Sequence, residues 1–151
     1  MLKKIRRTAN IGLYGSLGIS LITMGVYFLW NYRFYANDRG FRFMLIAGAV
    51  LAVLALVTIL FTVRTSIPKI RQLDDIEERM KRYQEQTANI YYTTFAIVTI
   101  ECVLITLSHN STLFMLLLVL VLMLFLLYPN SVKVKVDLGL TEEEATQYIN
   151  E

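Results

Sequence analysis

The sequence predicts an all-α integral membrane protein, with four transmembrane helices in an up-down bundle. Of the 151 residues, 56% are hydrophobic and the mean hydropathy is +0.51, whereas soluble domains contain about 45–50% apolar residues. Residues 90–128 are almost wholly apolar and are interrupted by polar residues only at 108–112. Because a bilayer core about 30 Å thick takes roughly 20 apolar residues per crossing, this stretch predicts two crossings joined by a short turn.

Two further apolar runs complete the bundle, so that the predicted crossings are about residues 11–32, 43–63, 88–107 and 113–128. The whole chain is expected to form one membrane domain with a C-terminal tail over 129–151. An aromatic belt is predicted where the first crossing leaves the bilayer, formed by Tyr27, Trp30, Tyr32 and Tyr35. The fourth crossing contains almost only Leu, Val, Met and Phe, which predicts a lipid-facing helix without a close-packing face.

A cytoplasmic amphipathic helix is predicted over about residues 69–87, between the second and third crossings. Pro68 predicts a break before it, and the helix can continue into the third crossing. Helical periodicity is carried by apolar residues at spacings of three and four: Leu73, Ile76, Met80, Tyr83, Thr87 and Ile90.

Two short segments of the tail have different patterns. A capping box at residues 141–144 predicts a short C-terminal helix from Glu142 to about Ile149. Residues 132–137 alternate between apolar and polar side chains, a pattern that also fits a short strand, and since no partner strand is visible we expect extended coil there.

The distribution of Lys and Arg predicts the orientation. Four lie at the N-terminus, six between the second and third crossings and two in the tail, so twelve fall on one side of the membrane and three on the other. Positive charge collects on the cytoplasmic side. We therefore expect a multi-pass protein, in a bacterial inner membrane, with both termini in the cytoplasm.

Small residues define a candidate packing face on each of the first two crossings. Gly12, Ser16 and Ser20 recur every four residues on the first crossing, and Gly48 and Ala52 line one side of the second. Small residues allow helix backbones to approach closely in lipid. The face of the first crossing serves either dimerisation or packing within the chain, and the two small faces are expected to pack on each other.

Glu101 is the one acidic residue within the apolar runs, and an intramembrane acid is by default a functional hypothesis. Thr94 and Ser108 lie seven residues to either side, on the same helix face. One interpretation is a protonatable site in a transporter or channel, or a contact with a basic residue of a partner. The other is a structural, protonated Glu that hydrogen-bonds a neighbouring Ser or Thr.

Other functional classes find little support in the sequence. We expect no catalytic residues, metal site or cofactor, because there is one cysteine (Cys102), one histidine (His109) and no nucleophile or phosphate-binding motif. The basic residues cluster at the ends of apolar runs, which suits lipid headgroups and not nucleic acid.

These observations favour a small non-catalytic membrane protein. We expect an accessory, assembly or regulatory subunit that contacts partners through its transmembrane faces and cytoplasmic helix. The alternative is a small oligomeric proton-coupled transporter that uses Glu101. The expected partners are the lipid bilayer and either another protein or further copies of the chain.

Overall fold

The structure, a computed structural model, describes residues 2–29, 38–108 and 111–149. The described chain is helical and contains no strand, which confirms the predicted all-helical class. Its elements are α1 (Leu2–Leu29), α2 (Asp38–Phe61), a π-helical turn (Thr62–Ser66), α3 (Ile67–Arg71), α4 (Ile76–Ser108), α5 (Ser111–Leu126), α6 (Ser131–Leu138) and α7 (Glu142–Ile149).

Three helical segments of the described chain are long and apolar enough to cross a membrane: Leu2–Leu29, Gly40–Arg71 and Ile76–Ser108. The fourth, α5, meets this test only together with α6, and the two helices are bent by 78° relative to each other. The first helix begins nine residues before the crossing predicted from residue 11. Three residues of the predicted aromatic belt (Trp30, Tyr32 and Tyr35) and His109 lie outside the described residues.

Helix α4 runs through the whole bundle. Its 33 residues correspond to a length of about 50 Å, and its buried stripe takes part in three apolar clusters. Met80 and Tyr83 belong to the first cluster, Ile90 and Tyr91 to the second, and Val98, Cys102 and Ile105 to the third. The predicted helix over 69–87 is therefore, from Ile76 onward, the first part of one continuous helix.

The break that the sequence predicts at Pro68 lies elsewhere. The π-helical turn ends just before Pro68, where the Ile67 N–H donates to the Thr62 carbonyl, and the helix then continues to Arg71. Pro68 then lies in the first turn of α3. Proline is tolerated there, because a helix needs no hydrogen bond from that backbone N–H. The chain breaks instead at residues 72–75, and Asp75 caps α4 by accepting from the Glu77 N–H at 3.1 Å.

Helix α1 packs along α4 through its small residues. A Cβ built on Gly12 would lie 2.8 Å from the Tyr91 Cβ and 3.1 Å from the Tyr91 carbonyl oxygen. One turn later, a Cβ on Gly15 would lie 2.8 Å from the Phe95 ring. The two backbones approach this closely only because both residues lack a side chain.

The expectation that the small face of α2 packs on that of α1 is wrong. Gly48, Ala52 and Ala55 are buried, but they face α4 and α5, where the two alanines cluster with Val98 and Leu117. The physical reason is that α4 already covers the small face of α1. The small face of α2 therefore packs against the opposite side of the α4–α5 pair.

Helix α5 has a defined packing face, contrary to the sequence-based expectation. Its buried residues recur at helical spacing and are Leu113, Leu117, Leu120, Val121 and Leu124. The other side of the helix is exposed and apolar, as at Met115 and Leu122. A uniformly leucine-rich helix carries no sequence signal for which side is buried, so the neighbouring helices decide it.

Residues 131–138 form helix α6, so the predicted extended coil is wrong. The Asn130 side chain caps its start by accepting from the Lys133 N–H at 2.7 Å, and Gly139 ends it in the left-handed conformation with a φ of 64°. The helical spacing places Val134 and Leu138 on one face, where both are fully buried. Caps and burial together override the alternating pattern.

We call the cap the assembly of α3, α6, α7 and the first turns of α1 and α4. Its core contains Leu2, Ile5, Ile70, Met80, Tyr83, Val134, Leu138 and Leu140. Tyr83 donates a hydrogen bond to Asp137 at 2.7 Å, and Arg6 donates to the Ser131 hydroxyl at 2.8 Å. The first turns of α1 and the tail helices therefore lie at the same end of the helical assembly.

Replacing Gly12 by Ala should lower the thermal stability of the purified protein, because the new methyl group overlaps Tyr91. Overpacking of this kind costs about 1–3 kcal/mol. Gly18→Ala is the matched control: it lies in the same helix, and a Cβ there meets nothing within 4 Å. Equal melting temperatures for the two variants in the same detergent would contradict the close approach of α1 to α4.

The start of α7 should weaken in acid. The Thr141 backbone N–H donates to the Glu144 carboxylate, the Thr141 hydroxyl accepts from the Glu144 N–H, and this box holds the pKa of Glu144 below its ordinary value. The stabilisation is complete above the pKa of the unfolded chain and is lost as the pH falls through the lowered pKa of the folded chain.

Amide hydrogen exchange of α7, measured over an acidic pH series, checks this. Protection should decrease toward low pH in the wild type and change less in Glu144→Gln, which keeps the geometry but does not titrate. The same pH profile in both proteins would refute the role of the carboxylate.

Candidate functional site

Glu101 lies where α4 meets α2 and α5. Its side chain is 0% exposed, and Gly48 of α2 provides the space for it. A Cβ on Gly48 would lie 3.0 and 3.4 Å from the two carboxyl oxygens of Glu101 and would overlap the Leu113 side chain of α5. The glycine at position 48 thus allows the α2 backbone to approach the carboxyl group directly.

Neither carboxyl oxygen of Glu101 has a hydrogen-bond partner among the described residues. Buried polar groups in folded proteins are nearly always paired, and those without a partner need an explanation. An unpaired carboxyl group costs stability, because it has lost its contacts with water. The structure therefore gives Glu101 no stabilising bond that would account for its presence.

The two hydroxyl residues that share the face of Glu101 do not pair with it. Thr94 is buried, about 10 Å along the helix from Glu101. Ser108 lies as far in the other direction and donates its hydroxyl hydrogen to the Leu104 carbonyl at 2.6 Å. The three side chains line one side of α4 at separate heights and do not form a cluster.

A second polar region lies on the α1 side of α4. The hydroxyl oxygens of Ser16 and Ser20 are buried without a partner among the described residues, and Cys102 lies beside Ser20 and Thr23. A groove of about 280 Å³ opens next to Cys102 and is lined by Ile19, Thr23, Thr99, Cys102, Val103, Thr106 and Leu107.

The sequence analysis did not predict this groove. Its one signal in the sequence is that Thr99 and Thr106 are seven residues apart and so share one face of α4. Their hydroxyls donate to the Phe95 and Cys102 carbonyls at 2.8 Å each. Because backbone bonds occupy these hydroxyls, the groove presents a mainly apolar lining.

The five residues predicted as packing faces all lie inside the chain. Gly12, Ser16 and Ser20 are buried on the side of α1 that faces α4, and Gly48 and Ala52 are buried between α2 and the α4–α5 pair. In this structure all five residues contribute to packing within the chain.

Comparisons of the chain with known protein families, curated proteins and solved structures found no match. Function must therefore be inferred from the chemistry of the residues described above. The two features that need a functional explanation are the buried carboxyl of Glu101 and the exposed surface of the cap.

Replacing Glu101 by Leu should leave the melting temperature unchanged or raise it, because an apolar side chain removes an unpaired polar group. Glu101→Lys should destabilise the bundle by about 3–5 kcal/mol, as expected for a buried charge without a partner. Thermal unfolding in one detergent compares both variants with Glu101→Gln. A large loss of stability in Glu101→Leu would show that the carboxyl forms a structural bond.

Proposed function

We propose that this protein is a small non-catalytic membrane protein that acts as an accessory, assembly or regulatory subunit. The observation that carries the proposal is the charged face of α4, which we define as the exposed side chains Asp74, Asp75, Glu77, Glu78, Lys81, Arg82 and Glu85. This face lies on the first turns of α4 and on the residues just before them, at the cap. We propose that a protein partner docks on it.

The apolar stripe of the same helix segment is already used within the chain. Met80 and Tyr83 are buried against α6 and the first turns of α1. The sequence-based expectation that a partner binds through the cytoplasmic helix therefore becomes more specific: the partner would contact the charged side chains. Charged surfaces contribute specificity and association rate more than raw affinity, which suits a regulatory contact.

The position of this face couples it to the membrane bundle. Helix α4 continues from the charged face to Ser108 without a break, so a partner bound at the cap would hold one end of a helix that packs against α1, α2 and α5. We propose that the cap lies in the cytoplasm and the bundle in a bacterial inner membrane, and the twelve Lys and Arg residues on the side of the cap support this through the positive-inside rule.

Affinity purification of the tagged chain from native membranes tests this role. A stoichiometric partner should be recovered with the wild type and lost with Glu77→Lys/Lys81→Glu/Glu85→Lys, three exposed positions on consecutive turns of α4. Glu143→Lys on α7 is the control, because it changes the net charge by the same amount at another exposed position. Recovery of the chain alone, or equal recovery of the partner with both variants, would refute the proposal.

The second candidate is the small oligomeric proton-coupled transporter, and the buried, unpartnered carboxyl of Glu101 favours it. In that case Glu101→Gln should abolish proton-linked flux in proteoliposomes while the fold stays intact. Flux equal to that of the wild type would exclude Glu101 as a coupling site.

A further inference from the structure

Glu101 is fully buried, and the residues that lie beside its carboxyl group on α2 and α5 are apolar. Gly48 of α2 lies against the carboxyl group and next to Leu113 of α5, and Ala52, Val98, Ile105 and Leu117 form part of one apolar cluster of α2, α4 and α5. The side chain has no exposed area, and neither oxygen has a described partner. The carboxyl group is therefore cut off from the solvent in this arrangement of the helices.

No described positive charge compensates Glu101. Helix α5 contains no titratable residue. On α2 the described cation is Arg42, an exposed side chain that precedes Gly48 by about 9 Å along the axis and is turned about 240° around it. On α4 the adjacent Cys102 faces Ser20 and Thr23, and on α1 the Tyr27 ring stacks on Phe114.

A charged carboxylate in this position would have lost its hydration without gaining an ion pair or a hydrogen bond. Burying an unpaired ion is unfavourable even after the surroundings relax, and a group in this situation becomes neutral instead. The neutral acid has a much smaller penalty, and it fits the narrow space next to Gly48 without a counter-ion.

We propose that Glu101 is a proton-binding site, and that the bound proton is what allows α2 to stay packed against α4 and α5 at Gly48. Loss of the proton leaves a carboxylate that must regain water. The direct route is separation of α2 from α4, because Gly48 of α2 lies against the two carboxyl oxygens. Proton binding and helix packing are thereby coupled at one position.

This inference is independent of the accessory role, which depends on the charged face of α4, and it is narrower than transport. It requires that Glu101 binds and releases a proton, but not that a proton or a substrate crosses the membrane. A failed partner assay or an absent flux would not contradict proton binding by Glu101. Failure of proton binding by Glu101 would likewise not contradict the accessory role.

Infrared spectroscopy of the purified protein in lipid nanodiscs tests the first half. The carbonyl stretching band of a protonated carboxyl should be present in the wild type at neutral pH, should shift with ¹³C-labelled glutamate, and should be absent from Glu101→Gln. Glu144→Gln, which removes an acid in the extramembrane α7, should retain the band. A wild-type spectrum that matches that of Glu101→Gln in this region would overturn the proposal.

A second comparison uses two glycines. Gly48→Ala should shift or remove the band, because its methyl group would lie 3.0 Å from one carboxyl oxygen. Gly18→Ala, with open space at the new methyl group, should leave the band unchanged. An unchanged band in Gly48→Ala would refute the contact. If Glu101→Gln does not fold, as judged by circular dichroism, Glu101→Leu provides the reference spectrum instead.

The coupling to helix packing is tested by hydrogen exchange of the α2 amides around Gly48. At a pH high enough to remove the infrared band, these amides should exchange faster in the wild type than in Glu101→Gln at the same pH. Equal protection in the two proteins would show that the proton does not control the packing of α2.

Discussion

The close approach of α1 to α4 at Gly12 and Gly15 is the contact on which the rest of the bundle depends. In a bilayer, apolar helices associate mainly through close packing of small residues, because lipid supplies no hydrophobic driving force between them. Here the Tyr91 and Phe95 side chains of α4 lie against the glycine surface of α1. With one side of α4 covered in this way, α2 and α5 pack on its remaining buried surface. Tyr91 also donates to the Leu124 carbonyl at 2.9 Å, at the end of α5, where carbonyls lack helical partners.

The buried stripe of α4 belongs to different apolar clusters along its length. In the cap, Met80 and Tyr83 are buried with Val134 and Leu138, and in water the hydrophobic effect stabilises such a cluster. Further along α4, Val98 and Ile105 pack against apolar neighbours, and in a bilayer such a contact depends on shape complementarity, because lipid is as apolar as the neighbours. Helix α6 depends on the hydrophobic cluster of the cap. It has only eight residues, and a helix of this length does not persist alone. The residues at its two ends, Asn130 and Gly139, and the burial of Val134 and Leu138 stabilise it.

At Glu101 the packing of the helices buries a polar group without a described hydrogen bond, which lowers the stability of the fold. Its carboxyl group occupies space that Gly48 leaves open, without a described hydrogen bond. An acid in an apolar run is visible in the sequence, so the residue could be predicted as a candidate site. Its environment could not, because Gly48 and Leu113 are separated from it by 53 and 12 positions and local patterns do not report such contacts. The hydroxyl residues predicted beside it, Thr94 and Ser108, are placed at other heights on the helix.

Sequence alone determined those features that depend on local chemistry. Apolar length predicted helices long enough to cross a membrane, and the capping box predicted α7 with its observed bounds, Glu142–Ile149, because its hydrogen bonds join residues three apart. Tertiary structure decided which faces meet: α1 with α4, α2 with α4 and α5, and the Leu113–Leu117 side of α5 facing inward. It also decided that residues 131–138 are helical. These choices depend on contacts between distant residues, where burial outweighs local propensity and several pairings have similar sequence signals.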